Sequence, residues 1–340
     1  MKNRLLAAVS LLLIIPLVAY AHVKWFVQFD TTKEPESLLV IIKEPQIWWL
    51  SALSVVVIYI TSWLDREWLS PVDRPEWHDK LSILQSFVPD LMRYGTGLFF
   101  LGLSAGFPYI MLTPELVTDN PTLRYIHIII GLTAFYRRSS FIAGLGIMFL
   151  YSYAVQLYGT FHMLDYLVFI GTAFYLIMQS VRPKGESGQE IELLRLLLCY
   201  SFLWGAIEKF MQPDLFFQLL KDHAYLAMGM DWDFFVRACG FIEFCCAWHI
   251  LTGKLAGYAA IGLLALLVIA AFIPFGLIDF VGHFLFIIPL LAVLFTPRQT
   301  LPFASALVNT LAFVATLIFL TLFAYISYYV LHYNLYPNLF

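Results

Sequence analysis

A group of ionisable residues near the ends of three strongly apolar segments is the part of the sequence best suited to chemistry. The group consists of Glu208, Lys209, Arg237, Glu243, Asp279 and His283. Asp279 and His283 are four residues apart, so a helix places them on one face. A charge in the middle of a bilayer costs a few kcal/mol even on lenient scales, so such groups pair or line a wet cavity. We therefore expect these side chains to form a network or pocket.

The residue types suggest a role for each member of this group. Lys209 and Arg237, with Glu208 beside them, are expected to anchor an anionic or carbonyl oxygen. Glu243 and His283 are expected to donate or accept protons, with Asp279 orienting His283. Glu243 follows Arg237 by six residues, which puts it roughly 9 Å deeper along a helix. We expect it to face the bundle interior, within reach of Lys209, Arg237 or His283. The alternative is a purely structural network that joins the helices.

The composition requires that lipid surround the helices that carry these residues. Hydrophobic residues make up 61% of the 340 residues and charged residues 13%, against roughly 25% charge in a soluble protein. Glycine-rich phosphate loops, metalloprotease motifs and nucleophile elbows are absent from the sequence. The formal charge of −3 gives no indication of nucleic acid binding. These features exclude a soluble globular enzyme.

Apolar runs of about 20 residues predict the membrane crossings. About eleven transmembrane helices are expected, at 4–21, 47–64, 84–107, 122–136, 141–158, 163–181, 191–211, 234–252, 255–275, 277–296 and 304–330. Most lysines and arginines fall in the loops that share a side with the N-terminus. The positive-inside rule then predicts a multi-pass protein of the cell inner (plasma) membrane with its N-terminus inside and its C-terminus outside.

An internal repeat organises the predicted helices. Residues 85–181 and 190–297 form two four-helix units that align with Arg93 over Arg195 and Asp165 over Asp279. Each unit starts and ends inside, so the two are parallel repeats. Two helices and an outer loop (1–84) precede them, and a helix with an outer tail (304–340) follows. The fold class is therefore all-α. The second unit has Glu208, Lys209, Glu243 and His283 where the first has Gly106, Phe107, Ile130 and Phe169, which indicates specialisation.

The second unit also carries short motifs in a recognisable order. Arg195 comes early in its first helix, Gly205 precedes Lys209 at the outer end, and Gly240 precedes Glu243 by three residues before the turn Leu251-Thr252-Gly253. Residues 190–297 thereby resemble the DoxX family of small four-helix membrane proteins, with a weaker echo over 85–181. The resemblance implies a membrane subunit linked to sulfur or thiol oxidation and to quinone reduction.

The predicted function is a redox-linked membrane subunit with an outward-facing polar pocket. Quinone is the natural lipid-borne acceptor, and a soluble or membrane redox protein is the implied partner. Two alternatives stay open. One is a transporter or metal-handling permease in which the same residues line a path, and the other is a non-catalytic assembly subunit.

Several histidines suggest metal sites as further alternatives. His127, His162 and Asp165 in the first unit include ligand types that hold divalent metals. A haem held by two histidines has less support, because no clear pair faces across two helices. Cleavage after Ala21 would make His22 an N-terminal copper ligand. The alternative is a retained first helix, with the stretch from His22 to Phe26 as its outer interfacial anchor.

The connection 212–233 is the last element that bears on the site. Its stretch from Leu215 to Leu220 is amphipathic, which predicts a short helix on the outer leaflet. Such a helix either covers the polar pocket or is an ordinary connector.

Overall fold

The structure, a computed structural model, describes residues 23–26, 33–69, 75–182, 188–296 and 301–335. The predicted first crossing at 4–21, the alternative cleavage site before His22 and the C-terminal Phe340 lie outside the described residues. The described part is helical, and its one isolated β-bridge joins Ile110 to Val117. The expected all-α fold is therefore confirmed for this part of the chain.

The described residues form twelve α-helices, and the longer ones lie where apolar segments were predicted. They are α1 (Leu38–Lys43), α2 (Pro45–Leu64), α3 (Pro75–Gly106), α4 (Leu123–Phe135), α5 (Ser140–Tyr158), α6 (Thr160–Met163), α7 (Leu167–Val181), α8 (Gln189–Met211), α9 (Pro213–Asp222), α10 (Trp232–Thr252), α11 (Leu255–Phe295) and α12 (Ala306–Leu335). Short helical turns add Val23–Trp25, Asp65–Leu69, Arg137–Ser139, Leu164–Tyr166 and Ala224–Ala227.

Six helical stretches of the described residues are long and apolar enough to cross a membrane. They are Pro45–Trp68, Arg137–Tyr158, Thr160–Val181, Trp232–Thr252, Ala271–Phe295 and Ala306–His332. Leu123–Phe135 and Leu255–Ile269 are apolar but shorter. These lengths and compositions are those of a multi-pass helical membrane protein. The full count of about eleven crossings stays a prediction.

Helix α11 folds back on itself at Gly276. This residue has φ 63° and ψ −141°, a backbone conformation that is essentially restricted to glycine. Leu264 and Leu290 line one cavity, although a straight helix would separate them by roughly 39 Å. The arms 255–275 and 277–295 therefore form a hairpin, as the predicted break between segments 255–275 and 277–296 requires.

The helices pack in a closed order that joins the two predicted units. Helices α3, α4, α5 and α7 pack in succession, α7 packs on α8, α8 on α10, α10 on α11, and α11 returns to α3. Helices α2 and α12 pack on each other, and α2 also contacts α10. Arg93 and Arg195 each pair with an acid three residues earlier, Asp90 and Glu192. Superposition of the two units stays a prediction.

Candidate functional site

Lys209 and Glu243 form a buried ion pair between α8 and α10. Their atoms Nζ and Oε2 are 2.7 Å apart, and both side chains are more than nine-tenths buried. Gly240, one turn before Glu243, lets the helices approach, because a Cβ there would lie 2.9 Å from the carbonyl oxygen of Ala206. The expectation that Glu243 faces the interior within reach of Lys209, Arg237 or His283 is confirmed, and the partner is Lys209.

Asp279 and His283 face the same interior from the second arm of α11. Nδ1 of His283 lies 3.1 Å from Oδ1 of Asp279 and 3.0 Å from the backbone oxygen of Asp279. Both residues are almost completely buried. Within the described part of the chain, Nε2 of His283 has no hydrogen-bond partner. The ring is therefore held by the hydrogen bond between Nδ1 and the backbone oxygen of Asp279. Within the described residues the carboxylate oxygens of Asp279 make no hydrogen bond, and Nε2 of His283 stays available to another group.

A small cavity of about 30 Å³ connects these groups. Its polar wall consists of Ser201, Gly205, Lys209, Glu243 and His283. Its apolar wall consists of Phe202, Leu264, Leu267, Val268, Phe286, Ile287 and Leu290. A space of this size holds a water molecule. The predicted acid, base and cation therefore meet at one enclosed space.

Arg237 does not reach this cavity. Its guanidinium donates to Asp233 at 2.8 Å, to Glu36 at 2.6 Å and to the backbone oxygen of Phe210 at 3.1 Å. Glu36 belongs to the segment 33–37, whose backbone also bonds the end of α8 through Glu36 N–H and Met211 O. Arg237 therefore ties this segment to α8 and α10, and the structure does not bring it to Glu243 as an anchor for a ligand.

Glu208 is turned to a different partner from its neighbour Lys209. Nζ of Lys24 lies 2.6 Å from Glu208 and 3.2 Å from Asp165. Lys24 and Trp25 are only 9% and 7% exposed, so the expectation that they form an outer interfacial anchor is wrong. Burial would lower the pKa of Lys24, but the charges of Glu208 and Asp165 outweigh it and raise that pKa above its ordinary 10.5. The indication of this contact in the sequence was that Glu208 and Asp165 are acids in apolar surroundings, which need a cation nearby.

The histidines of the first unit take separate partners. His127 lies 3.3 Å from the backbone oxygen of Met111, and Nε2 of His162 lies 2.9 Å from Glu115. Asp165 is held by Lys24. The structure therefore does not assemble the predicted metal ligands His127, His162 and Asp165. Among the residues that it describes, no three His, Cys, Asp or Glu side chains could hold a metal ion.

Glu115 joins the first unit's polar cluster from the connection between α3 and α4. It contacts His162 and accepts a hydrogen bond from the hydroxyl of Tyr166. Burial alone would raise the pKa of Glu115, but interactions with His162, Lys24 and Tyr166 together outweigh burial and lower the pKa below 4.5. Glu115 could not be predicted from the sequence, because a single acid in a loop has no helical periodicity that fixes its position.

The connection 212–233 does contain the expected short helix. Leu215, Leu219 and Leu220 are the buried face of α9, and the ring of Phe216 lies 5.0 Å from Nζ of Lys209. Helix α9 therefore covers the ion pair on one side. Its predicted position on the outer leaflet remains to be tested.

No family model matches this chain, and comparisons with curated proteins and with solved structures found no match. The resemblance of residues 190–297 to the DoxX family therefore stays a prediction. Fold and site together define a helical multi-pass membrane protein with a buried Lys–Glu pair and a buried His–Asp pair at one cavity.

Proposed function

We propose that this protein is a redox-linked subunit of the plasma membrane that binds the head group of a lipid-borne quinone at the Lys209–Glu243–His283 cavity. One observation carries the proposal. A cation, a carboxylate and an imidazole meet at a space whose other walls are apolar. Pockets for small cofactors combine apolar walls with a few converging polar groups in this way. The DoxX resemblance points to the same class of function.

The cavity's polar groups suit the proton steps of quinone chemistry. Reduction of a quinone to a quinol takes up two electrons and two protons. Lys209 is placed to donate a hydrogen bond to a carbonyl oxygen, while Glu243 and His283 are placed to exchange protons. The backbone oxygen of Asp279 is hydrogen-bonded to Nδ1 of the imidazole, so Nε2 is the atom that reacts. The two electrons would come from a thiol pair oxidised to a disulfide or from a redox partner protein.

The cavity must widen before it admits a quinone ring. At about 30 Å³ it accommodates water. Leu264, Leu267 and Val268 of the first arm face Phe286, Ile287 and Leu290 of the second arm across it. Separation of the two arms about Gly276 would enlarge this space and admit a ligand from the lipid. The proposal therefore includes a movement of the α11 hairpin.

The proposed orientation places the pocket towards the outer side and the N-terminus inside. Arg137 donates to the backbone oxygens of Gln179 and Arg182. The basic turn after α4 and the C-terminal end of α7 therefore lie at one end of the bundle. Basic residues at one end support an inner location of that end under the positive-inside rule.

Quinone extraction tests the proposed function. The purified protein in lipid nanodiscs would be extracted with organic solvent, and the quinone per protein measured by mass spectrometry. A matched titration would follow the quenching of tryptophan fluorescence by a short-chain quinone. Lys209→Met and Glu243→Gln are expected to lower occupancy and affinity at least tenfold, whereas Lys221→Met, at an exposed position of α9, leaves both unchanged.

The outcomes separate the competing functions. Absence of quinone from the wild type, together with no saturable quenching, would refute the proposal. Uptake of a solute or metal into proteoliposomes that is lost in Glu243→Gln would favour a permease instead. An equal response of Lys209→Met and Lys221→Met would show that the cavity does not bind the ligand.

A further inference from the structure

The short segment Val23–Phe26 is inserted between the two helical units. Its residues Val23–Trp25 form a single helical turn. Lys24 extends one ammonium group to Asp165 in the first unit and to Glu208 on α8 in the second. Both carboxylates are buried, so water does not stabilise their charge. The ammonium group of Lys24 does so instead. This contact holds the segment against the bundle.

Trp25 lies between the two polar clusters. Its indole Nε1 donates to the hydroxyl of Tyr166 at 3.2 Å, and its ring packs edge-on against His283 with centroids 4.7 Å apart. Trp25 itself is 7% exposed. The indole therefore has a fixed orientation on the side of Tyr166 and covers one side of the catalytic candidate His283.

The second arm of α11 is shaped to receive this indole. A Cβ at Gly282 would lie 2.2 Å from two atoms of the Trp25 ring, so the ring approaches the α11 backbone as closely as a glycine permits. A Cβ at Gly262, on the first arm, would meet nothing within 4 Å. Phe26 adds a stacked contact with Phe275 at 4.3 Å, beside the hairpin turn.

We propose that Val23–Phe26 is a positioning insert, in which Trp25 packs against the ring of His283 and sets the orientation of that ring in the cavity wall. This inference deepens the proposed function, because it concerns the same cavity, but it does not depend on which ligand binds there. Two constraints fix the ring. Nδ1 is hydrogen-bonded to the backbone oxygen of Asp279, and Trp25, in edge-on contact with the ring, opposes rotation of the imidazole out of the cavity wall. Trp25 is a positioning residue, and His283 is the group that it positions.

Chemical labelling of His283 measures this role directly. Diethyl pyrocarbonate modifies unprotonated imidazole nitrogens, and mass spectrometry reads the rate at each histidine. The full-length protein in nanodiscs, without added quinone, is the sample. His283 in the wild type is expected to label slowly. Trp25→Ala is expected to raise its rate at least fivefold, while His249, which is buried against Thr61, stays unlabelled.

Three further variants, one of them a control, keep the test independent of the loss of the indole side chain. Gly282→Ala leaves Trp25 in the sequence but displaces its ring, so it is expected to raise the His283 rate as Trp25→Ala does. Gly262→Ala is the matched control and should label as the wild type. Trp25→Phe keeps an aromatic wall without the bond to Tyr166, and its rate should lie between those of the wild type and Trp25→Ala.

Each result decides the inference. An unchanged His283 rate in folded Trp25→Ala, or in folded Gly282→Ala, overturns it and leaves Trp25 as packing alone. If neither variant folds, a wild-type rate in Trp25→Phe overturns it equally. A protein that binds no quinone but shows the expected rates would refute the proposed ligand and retain the insert. Quinone binding together with unchanged labelling rates of His283 would retain the proposed ligand and refute the positioning insert.

Discussion

Nζ of Lys209 lies 2.7 Å from Oε2 of Glu243 across the contact between α8 and α10. Neither charge reaches bulk water, so each depends on the other for its stability. Removal of one partner from a buried pair costs more than the pair contributes, because the remaining charge is left without compensation. Removal of Lys209 and removal of Glu243 are not equivalent. Lys209 also has the backbone oxygen of Gly205 at 3.4 Å and the ring of Phe216 beside it.

Replacement of Lys209 is therefore expected to destabilise the protein more than replacement of Glu243. Lys209→Met leaves a buried carboxylate without its cation and should cost roughly 3–5 kcal/mol. Glu243→Gln retains an amide oxygen for Lys209, and the loss should be about 1–3 kcal/mol. Thermal unfolding of the nanodisc-embedded proteins measures both.

A double variant supplies the control for this pair. Lys209→Met combined with Glu243→Gln removes the orphaned charge, so it should unfold at a higher temperature than Lys209→Met alone. Lys221→Met should match the wild type. Equal losses in the two single variants, with no recovery in the double variant, would contradict the pairing as the source of the effect.

Helical spacing and the free-energy cost of burying a charge predicted the part of the site that lies on helices. The four-residue spacing placed Asp279 and His283 on one face, and the expense of a buried carboxylate required a partner for Glu243. Both arguments use only helix geometry and solvation, which a sequence carries. The break at Gly276 was predictable for the same reason, since one membrane cannot contain a straight helix of the length of α11.

Contacts made by loops and short turns outside the long helices were not predictable in this way. Lys24 meets Glu208 across a sequence separation of 184 residues, and Glu115 reaches His162 from a loop. Neither segment has a period that fixes its position. Arg237 illustrates the same limit, because its partner Glu36 lies in the segment 33–37, 201 residues away. Glu208 and Asp165 could be identified as intramembrane acids from the sequence, but Lys24, the cation that pairs with both, could not.

Gly276 is expected to be sensitive to the smallest substitution. Its φ of 63° and ψ of −141° lie where an L side chain is strained. Gly276→Ala should lower the free energy of unfolding by roughly 1–3 kcal/mol, although a Cβ there would meet nothing within 4 Å. Gly262→Ala, with equal space but a helical backbone, is the matched control. Equal thermal stabilities of the two variants would show that the hairpin turn is not formed as described.

Reporter fusions test the predicted topology at four places. Fusions at Arg137-Arg138 and within 182–190 are expected to report inside, and fusions within 212–233 and after Phe340 outside. The bonds from Arg137 to Gln179 and Arg182 require the first two to agree. A split result at that pair would contradict the fold, whereas an inside C-terminus alone would mean that one crossing was miscounted.

Glu115 is expected to make stability depend on pH at the acid end. Burial alone would raise its pKa, but interactions with His162, the charge of Lys24 and the hydrogen bond from Tyr166 together outweigh burial and lower the pKa below the ordinary value of 4.5. The ionised carboxylate therefore stabilises the folded state above about pH 4.5, and the contribution is lost as the pH falls through the folded-state pKa.

Glu115→Gln should cost about 1.5–3 kcal/mol at pH 7, as the loss of hydrogen bonds to a charged group does. The difference in unfolding temperature between wild type and variant should shrink as the pH is lowered below 4.5. Glu34→Gln, at an exposed position, should show no such difference at any pH, and a difference for Glu115→Gln that stays constant down to pH 3 would contradict the lowered pKa.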